Sequence, residues 1–323
     1  MKTIKIGLLG LGNIGTGTYK TLEMNRAEIE STLNAKVEIV KILERDTERD
    51  RGITVPKEKF TSDPDEIFQD PEIDIVIELL GGIEPATTFM LSALKNGKHV
   101  VTANKAALAA NYHELVDTAK ENNVILRYEA SVGGGIPILG TLTGPLRANK
   151  FEEVMGILNG TTNYILTMMT KEGLDYETAL KDAQEQGFAE ADPTADVEGI
   201  DAANKLTILM ALMFDKYVAP QDIPTTGITE ITKEKIEEAR SNGCKIKLIA
   251  HAWREDDEIK YEVRPMYISA THPLANINKE FNAVFVKGNA VDDVMFYGKG
   301  AGPLPTGSAV LGDVIDISMM ILK

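Results

Sequence analysis

Two lysines and one acidic segment carry side chains that can take part in proton transfer. Lys105 follows a short apolar stretch, and Lys205 comes four residues after Asp201, so on a helix Asp201 and Lys205 share a face. The acidic segment places five carboxylates within twelve residues, at Glu190, Asp192, Asp196, Glu198 and Asp201. Taken alone, these features also fit a surface salt bridge, a solvated lysine, and a solvated loop or cation site. The residue types therefore leave the chemistry open.

Histidine is the usual first candidate for accepting a proton from a hydroxyl group. The chain has four histidines, and none lies in a glycine-rich or carboxylate-rich context; they are His99, His113, His251 and His272. Each is predicted to be structural or exposed, which leaves the lysines as the candidates.

The segment Gly10-Leu-Gly12-Asn-Ile-Gly15 matches G-x-G-x-x-G and lies directly between an apolar run and a helical pattern. In that context Gly10 permits a tight turn, Gly12 lets the backbone approach a pyrophosphate, and Gly15 allows helix and strand to pack closely. The helix N-terminus then offers N–H groups to the phosphates. The loop predicts a dinucleotide site, against the alternative of a glycine-rich turn in an unrelated α/β domain.

The end of the second predicted strand, Leu43-Glu44-Arg45-Asp46, is expected to contact the ribose of the dinucleotide. An acidic residue here binds the 2′-hydroxyl of NAD, and a basic residue favours the 2′-phosphate of NADP. Glu44 and Arg45 therefore support opposite interpretations, and a solvated turn of mixed charge also fits. With Lys57 and Lys59 close in sequence, we expect NADP bound by Arg45, with NAD as the alternative.

The composition indicates a folded, acidic protein. Of the 323 residues, 43% are hydrophobic and 26% charged, and the formal net charge is −15, so we expect two or three packed domains. An acidic surface repels phosphate backbones and anionic lipids, so neither a nucleic acid nor a membrane is a predicted partner. No window approaches the roughly 18–20 apolar residues that span a bilayer. The single cysteine, Cys244, allows no intrachain disulfide, which fits a cytoplasmic protein.

The first third of the chain alternates apolar runs with helical patterns. This alternation predicts a Rossmann-type, doubly wound parallel sheet with helices on both faces. The predicted strands are Ile4–Leu9, Val37–Leu43, Ile73–Leu80, His99–Thr102 and Val124–Tyr128. The predicted helices are Ile14–Ile29, Thr88–Lys95 and Tyr112–Asn122.

After about residue 135 the pattern predicts an α+β domain with an open, mostly antiparallel sheet. The predicted helices are Ile138–Leu146, Thr161–Thr170, Tyr176–Gln186 and Ile200–Phe214, and the predicted strands are Ile246–Trp253, Ile259–Tyr267, Ala283–Lys287 and Val291–Tyr297. Lys287-Gly-Asn289 predicts a hairpin turn between the last two strands. A final helical pattern, Ser308–Leu322, is expected to return to the first domain. The expected domain boundaries are 1–133, 134–303 and 304–323.

Seven segments together resemble the homoserine dehydrogenase family, and they occur in the family's order over nearly the whole chain. They are Gly10–Gly15, Val101–Leu108, Glu129–Pro137, Gly156–Asn163, Gly187–Pro193, Gly199–Leu206 and Gly298–Ser308. The resemblance implies an NAD(P)-dependent oxidoreductase that interconverts L-homoserine and L-aspartate 4-semialdehyde, a step in threonine, methionine and isoleucine synthesis. It further implies that 1–133 binds the dinucleotide and that 134–303 binds substrate and forms a homodimer.

The resemblance also implies roles for individual residues. Lys205 would be the general acid/base at the substrate oxygen, Asp201 would hold substrate and lysine, and Lys105 would assist proton transfer. Glu190 would bind the α-ammonium group of the substrate, and Thr162 would be a further substrate contact. The expected cofactor contacts are Gly10, Gly12, Asn13, Ile14, Gly15, Arg45, Lys105, Gly187 and Gly302.

A glycine-rich stretch after Glu129 resembles the family's monovalent-cation site. Its expected ligands are Glu129 and the backbone carbonyls of Val132, Gly134 and Ile136, with Na⁺ as the expected structural ion. From the residues alone, a glycine-rich connection between domains fits as well. Many family members continue into a regulatory domain, whereas this chain ends at Lys323, so it is expected to be a short form or a shortened chain. Threonine feedback through such a domain is not predicted.

Two other functions remain compatible with the glycine loop. One is another amino- or oxo-acid dehydrogenase on the same scaffold. The other is a nucleotide sensor without catalysis, which would be expected to have lost Lys105, Asp201 or Lys205, and all three residues are present.

Overall fold

The structure, a computed structural model, describes residues 2–323 and divides into two compact units. The first unit runs up to Gly135 and also includes Ala301–Lys323, and the second unit is Ile136–Gly300. One unit holds a parallel sheet and the other an antiparallel sheet, so the predicted fold class is confirmed.

The first unit contains six parallel strands in the order β3-β2-β1-β4-β5-β6. They are β1 Thr3–Leu9, β2 Lys36–Leu43, β3 Phe60–Thr61, β4 Ile75–Glu78, β5 His99–Thr102 and β6 Leu126–Arg127. The strand order reverses between β1 and β4, which is where ligands bind at the carboxyl ends of strands in sheets of this type. The side chains of β1 and β4 are almost all buried, because both faces of the sheet are covered.

The second unit contains five strands in the order β11-β10-β7-β8-β9, and each neighbouring pair is antiparallel. They are β7 Phe151–Ile157, β8 Cys244–Glu255, β9 Glu258–Ser269, β10 Phe281–Gly288 and β11 Asp292–Lys299. The strand β7 was not predicted, because two glutamates and Gly156 interrupt its apolar alternation. The predicted hairpin between the last two strands is present, but its turn is at residues 289–291 rather than at Lys287–Asn289, because β10 continues through Gly288. Asp292 supplies the left-handed residue, at φ 57°.

Twelve α-helices connect these strands in the described residues. They are α1 Asn13–Leu33, α2 Asp65–Phe68, α3 Ala86–Lys95, α4 Lys105–Ala110, α5 Tyr112–Glu121, α6 Leu139–Thr143, α7 Gly160–Glu172, α8 Tyr176–Glu185, α9 Thr194–Val197, α10 Ile200–Phe214, α11 Lys233–Ser241 and α12 Pro303–Ile321. Helix α6 is shorter than the predicted Ile138–Leu146, and α2, α4, α9 and α11 were not predicted. In the first unit α12 packs along α1, while in the second unit α7 and α10 pack against the sheet.

Helix α12 corrects one expectation from the sequence. By length and composition it is apolar enough to cross a bilayer, although no such window was predicted. Its residues Val310, Leu311, Val314 and Ile317 are buried in the same apolar core as β1 and α1. The hydropathy of α12 is therefore that of a core helix, which passes the same test of length and composition.

Helices α1 and α12 touch through glycines, which allow their backbones to approach. A Cβ atom placed on Gly17 would lie 2.2 Å from the carbonyl oxygen of Pro303, and a Cβ on Gly307 would lie 2.8 Å from the backbone nitrogen of Thr18. Both distances are far below van der Waals contact, so neither position accepts a side chain without movement of the helices.

We expect Gly17→Ala to destabilise the first unit, because the added methyl group forces α1 and α12 apart. Overpacking of this kind costs about 1–3 kcal/mol and should lower the melting temperature by about 3 °C or more, measured by circular dichroism. Gly12→Ala is the matched control, since a Cβ at Gly12 meets no atom within 4 Å. An equal loss of melting temperature in both variants would contradict this account of the helix contact.

Candidate active site

The predicted dinucleotide loop connects the end of β1 to the start of α1. Gly10 has φ 92°, and its N–H donates to the carbonyl oxygen of Leu43 at 3.0 Å. A Cβ on Gly15 would lie 2.2 Å from the carbonyl oxygen of Gly10, so the first turn of the helix packs directly on the loop. The glycines at 10 and 15 are thus required by backbone conformation and close packing.

The middle of the loop is open. Gly12 is exposed, a Cβ there meets no atom within 4 Å, and no side chain caps the start of α1. Asn13 and Ile14 are the first residues of the helix, and its first turn has no acidic side chain. Backbone N–H groups and the positive end of a helix dipole suit a phosphate group here, so the geometry fits the pyrophosphate of a dinucleotide.

Glu44, at the end of β2, is tied to this loop. Its Oε2 accepts from the N–H of Leu11 at 3.0 Å, and its Oε1 accepts from the N–H groups of Arg45 and Asp46. Burial alone would raise the pKa of Glu44, but these N–H bonds and the nearby Arg51 guanidinium lower it, so the carboxylate is charged.

Arg51 was not singled out from the sequence, although it lies against the same loop. Its Nε donates to the carbonyl oxygen of Leu11 at 2.7 Å, and its Nη2 lies 3.3 Å from Glu44 Oε2. Its side chain is only 7% exposed, whereas Arg45 is exposed. No sequence pattern indicated Arg51, because it lies in an irregular segment whose path depends on the tertiary structure.

Lys105 is the first residue of α4, directly after β5. The side chain of Asn104 caps this helix, with its Oδ1 accepting from the N–H of Ala107 at 3.1 Å. Lys105 is half-buried. It lies at the carboxyl edge of the parallel sheet, as the sequence predicts, and the glycine loop lies at the same edge.

In the second unit, Asp201 and Lys205 form a buried ion pair on α10. Lys205 Nζ lies 2.6 Å from Asp201 Oδ2, and each side chain is 9% exposed. The same Nζ donates to the carbonyl oxygen of Leu158, also at 2.6 Å. The pair is therefore held in one geometry. This differs from the solvated surface salt bridge that the sequence also allowed.

Asn159 extends this pair into a network. Its Nδ2 donates to Asp201 Oδ2 at 3.0 Å and to Asp196 Oδ1 at 2.6 Å, while its Oδ1 caps α7 by accepting from the N–H of Thr162. Thr161 Oγ1 lies 3.0 Å from Asp196 Oδ2. Sequence reasoning named Asp196 only as part of the acidic segment and gave Asn159 no role, although an asparagine before a helical pattern is a usual capping signal.

The other predicted substrate contacts differ in exposure. Glu190 is exposed, with its backbone carbonyl accepting from Gln184 Nε2 at 3.1 Å. Thr162 is only 1% exposed, and its hydroxyl lies 3.0 Å from Asn159 Oδ1. Thr162 is thus placed to support Asn159, and its contact with substrate stays a prediction.

The remaining predicted cofactor contacts are glycines with positive φ. Gly187 has φ 77° and is exposed, and Gly302 has φ 118° directly before α12. At both positions the backbone conformation favours glycine. Gly187 belongs to the second unit and Gly302 to the first.

The glycine-rich stretch after Glu129 also has a left-handed backbone. Gly133 has φ 75° and Gly134 has φ 55°, and the backbone N–H of Glu129 donates to Asp313 Oδ2 at 2.8 Å. Within residues 2–323 no group of three or more His, Cys, Asp or Glu side chains could hold a metal ion. A cation here would accordingly rely on backbone carbonyls, which are ligands that hard cations accept.

The histidines have structural contacts, among them the edge-on packing of His113 against Tyr112, with ring centroids 5.8 Å apart. His99 Nδ1 accepts from the N–H of Ile125, and burial lowers the pKa of His99. His272 Nδ1 accepts from the N–H of Leu274, and His251 Nε2 lies 2.7 Å from Glu153 Oε1. These contacts leave the lysines as the acid/base candidates, as the sequence suggests.

Comparison with known proteins identifies the family. A sequence model for homoserine dehydrogenase matches residues 137–315, and one for the homoserine dehydrogenase NAD binding domain matches residues 10–129. The homoserine dehydrogenase of Bacillus subtilis is 45% identical over 317 residues, which cover 98% of this chain and 73% of that protein.

Solved structures agree with the sequence comparison. A homoserine dehydrogenase from Thiobacillus denitrificans has a TM-score of 0.96 at 42% identity, with 99% of this chain and 74% of that chain covered. A hyperthermophilic archaeal homoserine dehydrogenase in complex with NADPH has a TM-score of 0.83 at 26% identity, with 98% of each chain covered. The chain therefore belongs to the homoserine dehydrogenase family, a family of NAD(P)-dependent oxidoreductases.

Proposed function

We propose that this chain interconverts L-homoserine and L-aspartate 4-semialdehyde, with Lys205 as the general acid/base. The observation that carries the proposal is the buried pair of Lys205 and Asp201. Two acceptors, Leu158 O and Asp201 Oδ2, hold the Nζ atom of Lys205 in the described structure. An ammonium group has three N–H bonds, so one can reach a substrate oxygen.

Each residue has a distinct part in the proposed reaction. When the carbonyl is reduced, the charged Lys205 donates a proton to the oxygen that becomes the hydroxyl, and in the oxidation it takes that proton back. Asp201 orients the ammonium group, and Asn159 fixes the carboxylate. The nicotinamide supplies or accepts the hydride. The exposed carboxylate of Glu190 suits the α-ammonium group of the substrate, and Lys105, at the edge where the nicotinamide binds, assists proton transfer.

We propose NADP as the preferred cofactor, with Arg45 as a contact to its 2′-phosphate. The oxygens of Glu44 already accept three backbone N–H bonds, and Arg51 offsets its charge. Such a carboxylate is a poor acceptor for a ribose 2′-hydroxyl, and it repels a 2′-phosphate less than a free one would. The exposed Arg45 next to it is available to a phosphate group.

The remaining expectations from the sequence also belong to this proposal. Glu129 and the carbonyls of Val132, Gly134 and Ile136 would hold a structural Na⁺, supported by the left-handed glycines between them.

A homodimer formed through the second unit is supported by the exposed side chains of Met295 and Tyr297 on the edge strand β11. We also propose that the protein is cytoplasmic, with no nucleic acid or membrane as partner.

The proposed reaction is tested by following NADPH absorbance with aspartate 4-semialdehyde. We expect substrate-dependent loss of NADPH in the wild type, and Lys205→Ala should lower kcat by about 10²–10⁴-fold because the proton donor is removed. The dissociation constant for NADPH should be nearly unchanged. The exposed lysine in Lys216→Ala is the control, with kcat close to the wild type. No NADPH consumption by the wild type, or near-normal turnover by Lys205→Ala, would overturn the proposal.

Cofactor preference is tested by Arg45→Ala. We expect KM for NADPH to rise about fivefold, which is ~1 kcal/mol for an exposed ion pair, while KM for NADH changes less than twofold. Arg49→Ala, which removes an exposed arginine four residues away, serves as the control. Equal effects of Arg45→Ala on NADPH and NADH would show that Arg45 does not contact the 2′-phosphate.

A further inference from the structure

Glu78 is a fully buried carboxylate at the carboxyl end of β4. Its side chain is 0% exposed, and burial raises its pKa against the opposing effect of its hydrogen bonds. It is not among the residues that the sequence indicated, because it lies inside the predicted strand Ile73–Leu80 and belongs to no motif. A buried carboxylate costs several kcal/mol unless it is fully hydrogen-bonded, so its partners show what it holds in place.

One oxygen of Glu78 holds the loop that follows β4. Its Oε1 accepts from the N–H of Leu80 at 2.8 Å, and the N–H of Gly81 also acts on this carboxylate. Leu80 lies next to the dinucleotide loop, since a Cβ on Gly10 would be 3.1 Å from Leu80 Cδ2. Gly81 and Gly82 have positive φ, a backbone conformation found in turns. The hydrogen bonds to Glu78 fix the path of this turn.

The other oxygen of Glu78 connects to the helix that starts with Lys105. Thr102, its register neighbour on β5, donates from Oγ1 to Glu78 Oε2 at 2.7 Å. The same hydroxyl accepts from the N–H of Asn104 at 2.9 Å, and Asn104 caps α4. Asn104 Nδ2 in turn donates to the carbonyl oxygen of Gly82 at 2.7 Å, which closes the network.

We infer that Glu78 is a positioning residue that, through Thr102 and Asn104, fixes Lys105 and the Leu80–Gly82 loop relative to each other. The inference rests on the proposed function, in which Lys105 assists proton transfer. Glu78 itself touches neither substrate nor cofactor in this account. Its carboxylate accepts from both sides of the strand edge at once, which an apolar side chain of the same size cannot do.

The first test separates positioning from simple stability. We expect Thr102→Val to lower kcat by about tenfold or more, because a displacement of about 1 Å at a reacting group costs up to about 10²-fold in rate. The dissociation constant for NADPH should change less than threefold. Thr102→Ser keeps the hydroxyl and should restore kcat to within threefold of the wild type. Thr118→Val, at another buried threonine, on α5, is the control and should leave kcat within twofold.

The second test needs no turnover. In the cofactor-free protein, Glu78→Leu, which removes both acceptor oxygens, should speed hydrogen exchange of the Leu80 and Asn104 amides at least tenfold, while amides in the middle of α5 keep their protection. Thr102→Val should speed exchange at Asn104 only. Unchanged exchange at Asn104 in both variants would overturn the inference. A kcat of Thr102→Val within twofold of the wild type would do the same. So would a loss of kcat in Thr102→Ser as large as that in Thr102→Val.

Failure of the inference and failure of the proposed function give different results. Wild-type turnover by Lys105→Ala would remove the proposed role of Lys105, and with it the role of Glu78. A large loss in Lys105→Ala together with normal turnover in Thr102→Val would overturn the positioning role of Glu78 alone.

Discussion

The constraint on which the second unit depends is that a buried ammonium group must have acceptors for its protons. Burial of an unpaired charge costs several kcal/mol, so Lys205 can lie inside the protein only where Asp201 and the carbonyl of Leu158 meet it. Asp201 in turn needs Asn159, which also reaches Asp196. These bonds determine that the junction of β7 and α7 lies against the first turns of α10.

In the first unit, too, buried charged groups are paired with hydrogen-bonding partners, but here the pairing leaves part of the backbone open to a ligand. At the strand ends, the carboxylates of Glu44 and Glu78 accept N–H groups from the loops beside them, and these loops become fixed. Between the fixed points, the backbone at Gly12 is left open to a ligand. The unit therefore has open backbone N–H groups at the start of α1 and a lysine at the end of β5, while Glu44 and Glu78 are satisfied by the loops beside them.

Much of this arrangement could be predicted from the sequence, for reasons that are local. Turn chemistry identifies the glycine loop, and apolar runs identify β1 and β4. Helical periodicity places Asp201 and Lys205, four residues apart, on one face. The resemblance to the family, carried by motifs in order, is confirmed by the comparisons. The strand β7 was missed because Glu152, Glu153 and Gly156 interrupt its alternation of apolar and polar residues. Its strand conformation is stabilised by pairing with β8 and β10.

Other features could not be predicted because they depend on contacts between distant segments. Arg51 reaches Leu11 over forty residues, and Glu78 meets Thr102 only because β4 and β5 are neighbours. The burial of Lys205 also depends on a distant segment. An Asp–Lys pair on a helix predicts a surface salt bridge, and only the contact with the carbonyl of Leu158 shows that the pair is buried. Local patterns thus indicated candidate residues and left open which distant segments hold them.

The central claim, that the proton of the reaction passes through Lys205 held by Asp201, is tested most directly by comparing kcat of homoserine oxidation in Lys205→Met and Asp201→Asn. Lys205→Met removes the group that takes the proton, whereas Asp201→Asn keeps an oxygen that can accept the N–H of Lys205. We expect kcat to fall by about 10²–10⁴-fold in Lys205→Met and by less in Asp201→Asn, because only the first variant removes the acid/base group. A kcat of Lys205→Met within tenfold of the wild type, or a larger loss in Asp201→Asn, would contradict the claim.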